Sequence, residues 1–183
     1  LQQINGASRE EFVSALRPLF NNETWPLELA WESRPFGDVN ELRAAIQVAV
    51  LTADDSRRAA LIHDYPAMDE LLLADADEAA TISADRGSLG LTDLDDVQTE
   101  RITELSAAYR ERFDMPFVAY LDTNDTVDRV IDAGVRRLAN SPEQENRTVL
   151  GEIVEIANDR FDILLADANP VRSSWDRKFT EVD

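Results

Sequence analysis

The chain has 183 residues, 44% of them hydrophobic, enough to bury a core of single-domain size. It carries 37 Asp and Glu against 18 Lys and Arg, a formal net charge of -19, so a phosphate backbone is repelled and nucleic-acid binding is excluded as a function class. Cysteine is absent, which removes disulfides, thiolate zinc sites and cysteine nucleophiles from consideration. Lys178 is the only lysine, an arginine bias of the kind a high-salt or GC-rich background produces. The longest apolar runs, such as Ala45 to Leu51, are far too short to span a bilayer, and no basic flank precedes an apolar stretch at the N-terminus. The expectation is a cytoplasmic protein with no membrane partner.

Apolar residues recur at helical spacing nearly throughout, which predicts an all-α fold, a single-domain bundle of about eight helices. Ser8 with Glu11 forms a capping box, and Phe12, Val13, Leu16, Leu19 and Phe20 make one stripe behind it, with Pro18 placed to bend the last turn. Thr24 caps a short helix that tolerates Pro26 in its first turn and turns Trp31 inward. Arg34, Pro35, Phe36 and Gly37 break the pattern, and Asp38 with Glu41 opens a helix whose Leu42, Ala45, Ile46, Ala49 and Val50 face the core. A further helix runs from Ser56 to His63 and stops before Pro66.

Met68 and Leu71 to Leu73 suggest another helix, and the acidic, alanine-rich stretch up to Ala84 reads as helix or loop. Gly87 and Gly90 mark a turn. Thr92 opens the strongest helix, with Leu94, Val97, Ile102, Leu105, Ala108, Tyr109 and Phe113 on one side. Met115 to Leu121 is the one place where an extended conformation fits. A helix from Asp125 carries Val127, Val130, Ile131, Val135 and Leu138. Ser141, Pro142 and Gln144 combine an N-cap, a first-turn proline and a capping-box partner for the last long helix, which is expected from Pro142 to about Leu165. The domain is taken as residues 1–166, followed by a polar tail over 167–183.

Chemistry-bearing residues are sparse. A lone histidine, His63, excludes any two-histidine metal motif and leaves one imidazole base for a triad. The acidic clusters Asp75 to Glu78 and Asp93 to Asp96 lack the glycine and closing glutamate of a calcium loop, so they read as solvated surface and no metal is expected. Phe117 and Val118 fit the core as well as a substrate wall, and Arg34 fits a surface cation or a partner for nearby acids.

The ordered series is more informative than any member. Trp25 and Trp31 precede Arg34-Pro35-Phe36; then come Tyr65-Pro66, the Ser83 to Leu91 turn, Leu105 to Arg110 before Arg112-Phe113, Met115-Pro116-Phe117-Val118, and Arg137-Leu138-Ala139-Asn140. In order and spacing this series, from residue 4 to roughly 166, resembles the 2-oxo-4-hydroxy-4-carboxy-5-ureidoimidazoline (OHCU) decarboxylases of urate breakdown. The resemblance implies an all-helical enzyme that uses no cofactor, pairs as a homodimer, and removes the carboxylate of a small-molecule ureidoimidazoline to give (S)-allantoin.

In that family a histidine directly before proline and a glutamate-glutamine pair before Gly-Leu carry acid-base and substrate-holding roles. Here Tyr65 stands before Pro66, with His63 two residues earlier. Asp85 stands in place of that glutamate and Arg86 in place of the glutamine before Gly90-Leu91, and the family's serine falls on Ile82, beside Ser83. The resemblance thus implies Tyr65, Asp85 and His63 as catalytic candidates. Pro66, Ser83, Arg86, Phe117, Val118 and the retained Arg160 are the substrate-binding candidates. Two readings follow: an active carboxy-lyase with altered site positions, and a non-catalytic relative that binds a small anionic metabolite or a protein partner.

Overall fold

Helix starts in this chain are set by side chains that satisfy the first, otherwise unbonded, N–H groups. The computed structural model describes residues 1–73, 94–120 and 126–167. Among them are nine α-helices and one 3-10 turn: α1 Gln2–Gly6, α2 Arg9–Leu16, the turn Arg17–Leu19, α3 Trp25–Trp31, α4 Val39–Thr52, α5 Asp55–Asp64, α6 Met68–Leu73, α7 Asp96–Phe113, α8 Val127–Arg137 and α9 Pro142–Asp167. No strand occurs among the described residues. The all-α expectation holds.

The caps expected at Ser8, Asp38 and Ser141 are all present. Ser8 Oγ accepts from the Glu11 N–H while Glu11 accepts from the Ser8 N–H, and Ser141 and Gln144 do the same at α9. Asp38 accepts from the Glu41 N–H, and Glu41 reaches back to the Gly37 N–H. Thr24 behaves differently: its hydroxyl donates to Glu28 rather than capping α3. Asp54, which alternation of apolar residues did not flag, caps α5 through the Arg57 N–H.

Contacts group the chain into two compact units, Leu1–Ala49 with Val154–Asp183, and Val50–Ile153. In the first, α2 packs on α3, and Phe12, Leu27 and Ala30 are fully buried. Phe36 stacks on Phe12 at 6.2 Å between centroids. The break at 34–37 is held from α1. The Asn5 amide donates to Phe36 O (2.8 Å) and accepts from Phe36 N–H (2.9 Å), as a neighbouring strand would. Among the described residues Arg34 is half-buried and pairs with no acid: Nε donates to Trp31 O, Nη1 to Asn5 O and Ala7 O, and the guanidinium lies 3.9 Å from the Trp31 ring centroid. Trp31 itself is half-buried, with Nε1 donating to Ala7 O.

In the second unit α7 is the spine, packed by α6 and α8. Ile102, Leu105, Tyr109 and Phe113 are buried, at the i, i+3, i+4 spacing of one helical face. Val97, expected on that face, is 63% exposed, because α7 opens at Asp96 behind an Asp95–Gln98 capping box instead of at Thr92. Thr92 and Asp125 lie outside the described residues, and α8 begins at Val127 behind a Thr126 cap. Asp114 ends α7 at φ 54°, the left-handed conformation that lets its N–H close on Arg110 O. Gly134 permits the close approach of α8: a Cβ there would sit 2.5 Å from Leu105 Cδ2 and 2.7 Å from Phe117 Cζ.

Candidate active site

The Tyr65-Pro66 step is built by the end of α5. A residue before proline is pushed out of the helical region, and Tyr65 is extended at φ -77°, ψ 134°. Leu61, Ile62 and Tyr65 are all buried, so the helix carries one inner face up to the phenol, which is 4% exposed. His63 falls off that face and is exposed; it does not join Tyr65 in the interior. Pro66 is half-buried.

Immediately beyond, the Met68 N–H donates to Phe117 O at 3.0 Å, which brings the Tyr65–Met68 segment against Phe117 and Val118. Four of the candidates are thereby neighbours along two tied segments. The Phe117 ring is fully buried, 4.8 Å from the Tyr109 centroid and against Gly134, so its side chain is core and only its backbone is available for recognition. Val118 is 3% exposed.

Arg160 belongs to the first unit. Its Nη1 donates to Leu19 O (3.3 Å) and Asn21 Oδ1 (3.1 Å). A shallow cleft beside Leu19, Arg43, Val154 and Phe161 has room for about one water molecule. Ser83, Asp85 and Arg86 lie outside the described residues, as does the tail beyond Asp167. No group of three or more His, Asp or Glu side chains that could hold a metal occurs among the described residues, and none of their helices is long and apolar enough to cross a membrane.

The segment 116–120 has neither helix nor ladder, so its backbone groups need partners from elsewhere. A buried polar cluster supplies them. Arg137, in the last turn of α8, donates Nη1 to Val118 O (3.1 Å) and to Glu152 Oε1 (3.3 Å), and Nε and Nη2 to Glu145 Oε1 (2.9 and 2.6 Å). The other oxygen of Glu152 accepts from the Tyr120 N–H at 2.7 Å. Glu145 is fully buried and also accepts from the Tyr109 hydroxyl (3.0 Å) and the Asn140 amide (2.7 Å). Among the described residues one guanidinium stands between the two carboxylates, and three neutral donors from Tyr109, Asn140 and Tyr120 share in satisfying their oxygens. Burial, reinforced by the Glu145 charge and opposed by Arg137, pushes the Tyr109 phenol well above its ordinary value near 10. The phenol therefore holds its proton and braces Glu145.

Apolar periodicity did not single out Glu145 or Glu152. The available signal was register: Glu145, Val149 and Ile153 are four apart on α9, so an acid occupies the apolar stripe, and Glu152 lies seven residues beyond Glu145 on the same side.

A family model described as OHCU decarboxylase matches residues 5–162. The chain belongs to the OHCU decarboxylase family. Among relatives, the 2-oxo-4-hydroxy-4-carboxy-5-ureidoimidazoline decarboxylase of Haloferax volcanii is 37% identical over 163 residues, covering 88% of this chain and 93% of that protein. The enzyme of the same name from Mus musculus is 32% identical over 177 residues, covering 93% and 96%. A crystal structure of (S)-allantoin synthase matches with a TM-score of 0.65 at 22% identity, covering 90% of this chain and 52% of that one. The chain thus spans about half the length of that solved protein, whose likeness concerns the fold. For this OHCU decarboxylase family member the segments carrying Tyr65-Pro66 and Phe117-Val118 both fall within the matched span.

Proposed function

We propose that this chain is a carboxy-lyase of urate breakdown, converting 2-oxo-4-hydroxy-4-carboxy-5-ureidoimidazoline to (S)-allantoin. The observation that carries the reading is family membership through almost the whole described chain. The chemistry needs little beyond orientation and one proton. The bond from ring carbon to carboxylate breaks, carbon dioxide leaves, and the electron pair stays on carbon, delocalised into the neighbouring carbonyl or imine. A proton delivered to one face then sets the hand of the product.

In this proposal Tyr65 is the proton donor. A carbanion is basic enough to take a phenolic proton, and a buried tyrosine at a proline-fixed helix end is held in one orientation, which supports the assignment. Asp85 is its polar partner, Arg160 grips the carboxylate or ureido oxygen, and Pro66, Ser83, Arg86, Phe117 and Val118 contact the substrate. His63, the alternative donor, is exposed and off the Tyr65 face of its helix, which favours Tyr65 for the role. A cytoplasmic homodimer is part of the same proposal, supported by the family resemblance.

The test mixes the protein with freshly generated substrate and follows loss of ultraviolet absorbance and the optical sign of the allantoin. The expected result is a rate above the spontaneous one with a single enantiomer; a rate equal to the spontaneous one ends the proposal and leaves a non-catalytic relative. With Tyr65 as donor, kcat is flat between about pH 6 and 8, whereas Tyr65→His introduces a titration near ~6.5, and Tyr65→Phe lowers kcat by about a hundredfold or more.

A further inference from the structure

The segment Met115–Tyr120 has no secondary structure of its own, yet its main chain is tied at three consecutive points. Met68 N–H holds Phe117 O, Arg137 Nη1 holds Val118 O, and Glu152 holds the Tyr120 N–H. The last two ties come from side chains that also bond to each other at 3.3 Å. Arg137 cannot swing away, because both its remaining donors end on the fully buried Glu145, and its guanidinium lies 5.5 Å from the Phe117 centroid and 5.7 Å from that of Tyr109. Glu152 is the most accessible of the three charged members, at 26% side-chain exposure against 12% for Arg137 and none for Glu145.

We infer that Arg137 and Glu152 are a positioning pair that clamps the main chain of Val118 to Tyr120 in the register needed to present it to substrate. The inference rests on the proposed function, in which Phe117 and Val118 contact the ureidoimidazoline. Because the Phe117 side chain is buried, what this segment offers a ligand is backbone, and backbone recognition fails when register slips even if the fold survives. A clamp made of charged side chains also differs from a packed one. Removing the outer carboxylate takes away the tie at the Tyr120 N–H while the inner Arg137–Glu145 pair and the apolar core stay in place.

The experiment compares Glu152→Ala and Glu152→Gln with the unaltered protein, using freshly generated substrate and, separately, amide hydrogen exchange at Tyr120. Loss of the clamp removes binding that is equal in ground and transition states, so Glu152→Ala raises KM on the order of tenfold while kcat changes by less than about twofold. Gln keeps an acceptor for the Tyr120 N–H, so Glu152→Gln falls between, with KM up about threefold. Tyr120 exchanges faster in the same order. A KM within about twofold of the unaltered protein in both variants overturns the inference while leaving the proposed function standing, and so does a loss confined to melting temperature with KM unmoved. If the unaltered protein does not exceed the spontaneous rate, the proposed function and this inference fall together. Should Glu152→Ala not fold, the Gln variant carries the test alone.

Discussion

Two irregular segments of this molecule are each held by one arginine, and the two arginines work on opposite principles. Arg34 gives its donors to main-chain oxygens of Trp31, Asn5 and Ala7 and stacks on an indole. Arg137 gives most of its donors to carboxylates, the fully buried Glu145 and the half-buried Glu152, and only one to a main-chain oxygen. The first arrangement leaves no buried charge behind when it is cut, because carbonyls are neutral. The second does, because each charge is tolerable in the interior only through the others. In a protein whose net charge is -19, arginine is thus more than a counter-ion. It serves in one place as a fork for neutral acceptors and in the other as the cation that allows acids inside.

The comparison is broken most decisively at Glu145. Glu145→Ala leaves Arg137 with Glu152 as its one carboxylate and takes the acceptor from Arg137 Nε and Nη2, the Tyr109 hydroxyl and the Asn140 amide, and is expected to cost about 3–5 kcal/mol in denaturant unfolding; a loss below about 1 kcal/mol would mean the cluster is wet and the contrast false. Arg34→Ala removes three hydrogen bonds and one cation–π contact without stranding a charge, so about 1–3 kcal/mol is expected by the same measurement. Equal costs at both sites would remove the distinction.

Salt sharpens it. Moving from about 0.1 M to about 2 M KCl screens the self-repulsion of the acidic surface and raises the melting temperature, but the difference between the unaltered protein and Glu145→Ala stays nearly constant, since Glu145 is fully buried and out of reach of counter-ions. A difference that collapses in salt would place the cluster at the surface.

The smallest effect is alkaline. Burial first, and then the Glu145 charge, holds the Tyr109 phenol above its ordinary value, with Arg137 opposing. Below about pH 10 both folded and unfolded chains keep this proton. Above it the unfolded chain releases the proton first, so it binds fewer protons than the native state and stability falls with rising pH. Urea midpoints between pH 8 and 11 should decline, and Tyr109→Phe should flatten that decline.

Much of the fold was legible because helix caps are local. Ser8 with Glu11, Asp38 with Glu41 and Ser141 with Gln144 act over three residues, and each marked a real start. Misreadings came where local signals compete with tertiary ones. Val97 fits an apolar stripe by spacing but lies in the first turn of α7, and it is solvent-exposed. Arg34 reads as a charge in sequence, but its partners are backbone atoms 27 and 29 residues away, which no side-chain pattern encodes. At the candidate site, Tyr65-Pro66 and Phe117-Val118 were picked out by resemblance, and the Met68–Phe117 bond ties their segments together. The Glu145–Arg137–Glu152 cluster was not, because acids in an acidic sequence do not announce which few of them turn inward.

Helix α1 contributes no residue to the core, yet the oxygens of Asn5 and Ala7 are what Arg34 grips. Since every amino acid carries the same main-chain oxygen, position 7 is free to drift among side chains that keep the local turn, whereas Asn5, whose amide pairs with both the N–H and the C=O of Phe36, is not. A saturation library over residues 1 to 7 would therefore tolerate almost anything except at one position, and clipping the same stretch away would loosen a turn some thirty residues downstream.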